Sequence, residues 1–421
     1  MSKELMTNME TISQKDRAIL RRLAQHKLEL HHSEQNQRNL KDWLLHNTFR
    51  GQRPMIHLEM GTFWQDVIPK RLQCEGELAR DIEGRLWAGF INLELFGDDY
   101  PIRDIFHVDN WHQHTPFGID IKTVHATDDA GNDTLAYKFL HPINDLEEDF
   151  HKLGSSIYAL NQWADGYAAA ARDVFGDILP VEVGIGGLYC CPTQFIVHMM
   201  GMETMMISMY DYPELFHEMM RRYAEDTLTY FRFLEQNNAL SPTTGAQTLG
   251  QGTWCFTDEL PATGVTKTTQ VWGFMDSQET VGLSPTMFEE FIFPYYEMIA
   301  KQCGLLSYGC CEPVHMIWEN CLSKWENLRK ISISPWCDEE YMGAALRGRK
   351  VIFHRKPSPN YLGMGTTLDE EAVRAHIRKT LKAAQGCTVE FTQRDVYTIN
   401  NDEAKAKRYI DLIREEIVNC W

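Results

Sequence analysis

A chain of 421 residues with a formal charge of −18 can hold one large domain or two medium ones, and its acidity argues against a general role on nucleic acid or anionic membranes. Its 43% hydrophobic and 24% charged fractions are those of an ordinary globule, and no apolar run reaches the ~20 residues of a membrane span. The first eight residues lack an apolar signal core, and eleven cysteines that include two adjacent pairs suit a reducing compartment better than a disulfide framework, so a cytoplasmic protein is expected.

Residues 11–47 read as helical: Ile19, Leu20 and Leu23 fall at helical spacing, and Leu40, Leu44 and Leu45 resume after a polar break. This defines an N-terminal helical extension over residues 1–50, with the main domain over 51–421. Met55–Leu58 reads as a first strand that delivers Glu59, and a helix is expected over 76–92. A strand at 106–108 opens into a loop rich in imidazole and amide groups, with Asp109, His112 and His114 as candidates for substrate or metal. Their spacing matches no specific metal motif. Residues 117–141 alternate apolar and polar side chains around a turn at 128–133, which predicts a small inserted hairpin.

A helical region follows over 144–175. Residues 180–187 form a strand running into a turn with Gly184, Gly186 and Gly187, where backbone can approach a ligand closely. The pattern is neither a dinucleotide fingerprint nor a phosphate loop, so no nucleotide site is expected. Helices to about Met209 and over 213–237 come next. Long Gly-, Thr- and Ser-rich loops fill 238–281, with a strand at 269–275 that ends at Asp276. Ser284 or Thr286 caps a helix to Tyr296.

The run Leu305–Tyr308 ends in Gly309, Cys310, Cys311 and Glu312, the polar strand-to-loop junction where α/β proteins put their chemistry. A helix is then expected over 313–328, a strand over 330–335 delivering Asp338, and a strand over 350–353 delivering His354, Arg355 and Lys356. A helix over 370–384, a strand over 387–391 ending near Arg394 and a last helix over 402–417 complete the cadence. Strand–helix units with polar clusters after each strand predict an α/β (β/α)8 TIM barrel with the helical extension and the inserted hairpin; a doubly wound open sheet is the alternative.

A barrel brings Glu59, Asp109, Cys190, Asp276, Cys310, Asp338, His354 and Arg394 to one mouth. Glu59, Asp338, His354 and Arg394 are the catalytic candidates. Asp109, His112, Asp276, Arg355 and Tyr308 are the substrate-binding candidates, with the basic run 354–356 suited to a carboxylate or phosphate. Cys310 with Glu312 is the candidate metal site, for zinc. Cys311 and the pair Cys190–Cys191 read as packing.

The segment Gly282-Leu-Ser-Pro285 followed by Phe288–Tyr296, together with Gly186-Gly187 and Pro192-Thr193, resembles the uroporphyrinogen decarboxylase-like proteins. That superfamily includes corrinoid-dependent methyltransferases and cobalamin-independent methionine synthases. The resemblance is best from about residue 140 to the end and implies a (β/α)8 barrel. In the zinc methyltransferase branch the strand corresponding to 305–310 ends in His-x-Cys and a later cysteine follows the last strand. Cys310 matches the first cysteine, Tyr308 stands at the histidine and Arg394 at the late cysteine. The decarboxylase branch's N-terminal arginine-rich segment is replaced by Leu58–Asp66, and its late histidine is again Arg394, so porphyrinogen decarboxylation is not expected.

The resemblance implies a metal-dependent methyltransferase that moves a methyl group between a small O- or N-methyl compound and a corrinoid held on a separate protein. A metal-independent decarboxylase or lyase of a small carboxylate, and a non-catalytic binding protein, are the alternatives. The partners expected are a small molecule, a corrinoid protein and other copies of the chain, with no nucleic acid and no membrane.

Overall fold

A computed structural model of the protein describes residues 12–127 and 133–421. Eight parallel strands form its centre: β1 (Met55–Leu58), β2 (Phe106–Asp109), β3 (Val181–Gly184), β4 (Trp272–Met275), β5 (Leu305–Tyr308), β6 (Leu328–Ile333), β7 (Ile352–Arg355) and β8 (Val389–Gln393). A continuous ladder runs β1-β8-β7-β6-β5-β4 and on to Leu188–Tyr189, which continues the chain just beyond β3, while β2 and β3 pair with each other. This is a TIM-barrel-like α/β fold with helices packed outside it. Among the described residues no helix is long and apolar enough to cross a membrane.

The N-terminal extension is two helices, Gln14–His31 and Glu34–Asn47, each started by a serine that accepts a backbone amide. The inserted hairpin is present as the antiparallel pair Lys122–Thr127 and Asp133–Leu140, and most of its turn lies outside the described residues. Residues 313–328, expected as a helix, carry instead two short 3-10 turns, Val314–Met316 and Leu322–Lys324, before β6 begins at Leu328.

The wall is not closed by hydrogen bonds between β1 and β2. Side chains of the intervening segment satisfy the β1 edge: the Ile56 amide donates to Asp99 and the Leu58 amide to Asp98, both at 2.8 Å, and Asn92 donates to the Leu58 carbonyl at 2.6 Å. Both aspartates are buried, so each unpaired strand amide gains a charged acceptor.

Residues alternate between the interior and the helix layer along each strand. The interior is polar at mid-height. Glu390 on β8 sits 2.8 and 3.1 Å from the Lys330 ammonium on β6, 3.0 Å from His46 and 3.2 Å from His354. All four are buried.

Residues 244–257 enter the remaining interior as a folded-back excursion. Leu249 donates to Thr253 at 2.9 Å and Cys255 to Gln247 at 3.0 Å, with Thr248 bridged to Trp254. Trp254 packs on Trp43 and His57, and Thr253 hydrogen-bonds Ser307 of β5 at 3.0 Å. The glycine turn after β3 admits this excursion: a Cβ on Gly187 would lie 2.1 Å from Leu249, and one on Gly252, at φ +69°, would lie 2.5 Å from Thr392. The close approach foreseen for a ligand in the turn after β3 is made, at Gly187, by the chain itself.

Candidate active site

The inward-facing positions just past the strands converge at the mouth. Leu58 pairs with Gln393, so the next residues, Glu59 and Arg394, stand side by side. Arg394 donates from Nε to Glu59 at 2.9 Å, reaches Asp395 at 3.2 Å, and its Nη1 lies 3.6 Å from the Cys310 sulfur. Burial would raise the Glu59 carboxyl, but the Arg394 guanidinium holds it below the usual range.

Gly309, at φ +99°, turns the chain after β5 so that Cys310 and Cys311 lie together, their sulfurs 3.5 Å apart. The Cys310 thiol also reaches Gln251 Oε1 at 3.1 Å, at the tip of the 244–257 excursion. Cys311 is the more accessible of the two. Its thiol is brought down to about 7, first by the hydrogen bond from Cys310, against burial, and with help from Arg394 and Lys356. Cys310 is pushed up, chiefly by that same hydrogen bond and then by burial, and keeps its proton.

Two further groups complete the mouth. Asp276 follows β4 and is fully buried, with the Cys191 thiol as the side chain that acts on its carboxylate as a hydrogen-bonding neighbour. Burial first, and Glu312 second, push it up to about 7, so about half of it carries a proton at neutrality. Lys356 follows β7 and is buried, with a single long contact, 3.4 Å, to the Gly309 carbonyl. Burial and then Arg394 push it down to about 8.

The remaining sequence candidates are placed as follows. Glu312 is buried, accepting the Ser277 amide at 2.9 Å and the Cys310 amide at 2.8 Å, so its carboxylate shapes the loop. His354 lies below the mouth in the Glu390 cluster and bonds Thr392 at 2.8 Å. Arg355 points outward to the Ile333 and Ser334 carbonyls and to Glu339 at 2.8 Å. Tyr308 also faces outward, packed on Trp325, with its hydroxyl 2.5 Å from Ser277. Asp338 caps the helix Glu339–Leu346. Asp109 ends β2, 3.3 Å from His107. His112 accepts the Asn161 amide at 3.1 Å and lines an aromatic cavity of about 360 Å³ with Trp111, Tyr189 and Tyr230.

The structure therefore gathers Glu59, Arg394, Asp276, Cys310 and, from the basic run 354–356, Lys356, and adds Cys311 and Gln251. The signal for Lys356 was strand alternation, two residues on from His354. For Cys311 it was adjacency to Cys310. Nothing in the sequence marked Gln251.

The mouth does not fit zinc. Among the described residues no three His, Cys, Asp or Glu side chains are grouped to hold a metal ion. Glu312 is spent on amides, Tyr308 faces away, and the Arg394 guanidinium occupies the space beside the Cys310 sulfur.

No family model matches the chain, and no curated protein matches it. Among solved structures it is similar to a methyltransferase from Methanosarcina mazei, at 11% identity and TM-score 0.47, over 90% of this chain and 98% of that one. It is also similar to a B12-independent methionine synthase from Shewanella sp. W3-18-1 in complex with selenomethionine, at 13% identity and TM-score 0.34, over 71% and 76% of the two chains. Both scores fall below 0.5, and the fold described above rests on the strands themselves.

Proposed function

We propose that the protein is an enzyme that transfers a methyl group from a small O- or N-methyl compound at the Cys310–Cys311 thiol pair, with a corrinoid carried by a separate protein as its counterpart. The observation that carries this reading is the accessible Cys311 thiol, brought to about 7 beside Arg394 and Lys356, with the protonated Asp276 at the same mouth. The thiolate takes the methyl carbon as the oxygen or nitrogen leaves with the bonding pair, and Asp276 gives that atom its proton.

The rim suits the corrinoid partner. Met316, Trp336, Met364 and Tyr397, from the loops after β5, β6, β7 and β8, are all more than half exposed and are apolar groups a partner can cover. The corrinoid, once docked there, supplies the second methyl carrier. The metal-dependent form expected from the resemblance is not part of this reading, because the ligand set is missing.

The test is a screen of methylated amines and aryl methyl ethers with free cob(I)alamin as the corrinoid probe, with and without a chelator. Methylcobalamin formation that is indifferent to chelator and lost in Cys311→Ser is expected. Chelator-sensitive transfer, or full transfer by folded Cys311→Ser, would refute the thiol mechanism.

A second reading has its own support. Lys356 is a cation close enough to the acid Asp276 to act on its ionisation, an arrangement for holding a small carboxylate and protonating the carbanion left by loss of carbon dioxide. Release of carbon dioxide from small carboxylates by Cys311→Ser would select it.

A further inference from the structure

The opening between β1 and β2 leads into a cavity of about 230 Å³ that contains neither thiol of the mouth. Three cations face it: Lys27 from the helix Gln14–His31, Arg85 from the helix Glu77–Ala88, and Arg103 from the segment that stands in for the missing β1–β2 pairing. His107 and Asp109 of β2 form its floor, and Thr248 and Trp254 of the barrel-filling excursion close its inner side.

Two of these cations, Lys27 and Arg103, are poorly neutralised. Lys27 is 6% exposed and donates to the Ile105 carbonyl at 2.7 Å, and no carboxylate among the described residues is ion-paired with it. Arg103 has a long contact, 3.4 Å, to Glu182, which is itself exposed. Arg85 is held by Asp81 at 2.9 Å and lies over the Tyr167 ring. Neither ring nitrogen of His107 has a hydrogen-bond partner among the described residues, although the ring stands 3.3 Å from the Asp109 carboxylate.

A buried ammonium without a counter-charge is costly. Burial first, and Arg103 second, push Lys27 down to about 7, and burial lowers Arg103 as well, against the pull of Glu182 and Asp104. An anion between them removes that cost and supplies an acceptor for His107. The space holds a compact molecule, and the two unpaired cations, Lys27 and Arg103, match up to two negative charges, while Arg85 stays with Asp81 and the Asp109 carboxylate.

We propose that this side cleft binds a small dianion of the dicarboxylate or phosphate class, gripped by Lys27 and Arg103 with Arg85 at the outer edge. The site is separate from the thiol pair and stands whether or not the thiol chemistry proposed above is correct.

Thermal unfolding of the full chain with succinate, inorganic phosphate or pyrophosphate, at ionic strength held constant with sodium chloride, tests it. At least one probe is expected to raise the midpoint saturably in the millimolar range, and the probe that saturates at the lowest concentration assigns carboxylate or phosphate. Arg103→Gln and, separately, Lys27→Met are each expected to weaken that binding at least tenfold, while Lys301→Gln, at an exposed lysine just past the helix Phe293–Ala300, leaves it unchanged. Two variants on different elements keep the test decisive if one fails to fold. The proposal is overturned if no probe acts saturably on the wild type, or if both folded variants bind as the wild type does.

Discussion

The thiol pair makes a prediction that needs no substrate. Alkylation by iodoacetamide reads the thiolate, so its rate follows the ionisation of the reactive cysteine. With Cys311 at about 7, half of it is thiolate at pH 7. An ordinary thiol at ~8.5 is about 3% ionised there, a difference of about fifteenfold. A less basic thiolate is also a weaker nucleophile, and with a Brønsted slope of roughly 0.5 the 1.5-unit difference costs about fivefold. The net advantage is only about threefold, so the pH midpoint is the informative quantity. Labelling followed by peptide mass spectrometry is expected to show modification at Cys311 with a midpoint near 7. In Cys310→Ala the hydrogen bond that contributes most to the lowering is gone, and the midpoint is expected to climb into the ordinary thiol range. A wild-type midpoint at or above 8.5, or labelling that falls on Cys310, would refute the assignment of the proton within the pair.

Glu390→Gln strips the counter-charge from Lys330, which is fully buried, and from two buried histidines. Urea unfolding at pH 7 is expected to show a loss of about 3–5 kcal/mol. Glu390 is held well below its usual range, burial opposing and Lys330 and His354 outweighing it. Its contribution is therefore present above the unfolded value of ~4.3 and lost as pH falls toward the folded one, so the wild type loses stability on acidification where the variant changes less. Asp276 has the opposite sign: raised to about 7, it takes up a proton on folding between its unfolded value and about 7, so stability falls as pH rises through that window. Asp276→Asn is expected to flatten that fall and to slow the reaction by roughly 10²–10⁴-fold, by urea midpoints at pH 5 and 8 and by kcat.

Strand cadence was enough for the barrel, because alternating apolar strands and amphipathic helices leave few other ways to bury themselves. The register of single strands was harder. The run Lys350–Phe353 reads as the whole of a strand, yet β7 is Ile352–Arg355, since His354 pairs with Ser332 and Glu390 and Arg355 with Ile333 and Phe391, so two polar residues continue the ladder. That shift sends His354 into the interior and Arg355 outward, and makes Lys356 the residue at the mouth. The segment 313–328 has buried apolar side chains at Val314, Trp318, Cys321 and Leu322, but it runs as turns between buried anchors. The excursion at 244–257 was unreadable for a different reason. Its glycines and threonines look like exposed loop, and only the three-dimensional space left by Gly186, Gly187 and Ser307 shows that it lies inside.

The same register explains how a cysteine loop can work without the ligands that the resemblance called for. A zinc ion beside sulfur acts by placing two positive charges next to a thiol, which lowers its proton affinity. Here the position expected to hold a late cysteine carries Arg394, and β7 brings Lys356 to the same mouth; both cations act to lower Cys311. Glu59 keeps Arg394 in place from the neighbouring strand at 2.9 Å. Replacing a soft ligand by a fixed guanidinium thus exchanges one source of positive charge for another. In the proposed reading the thiolate of Cys311 is then the nucleophile at the mouth, with no metal required to ionise it.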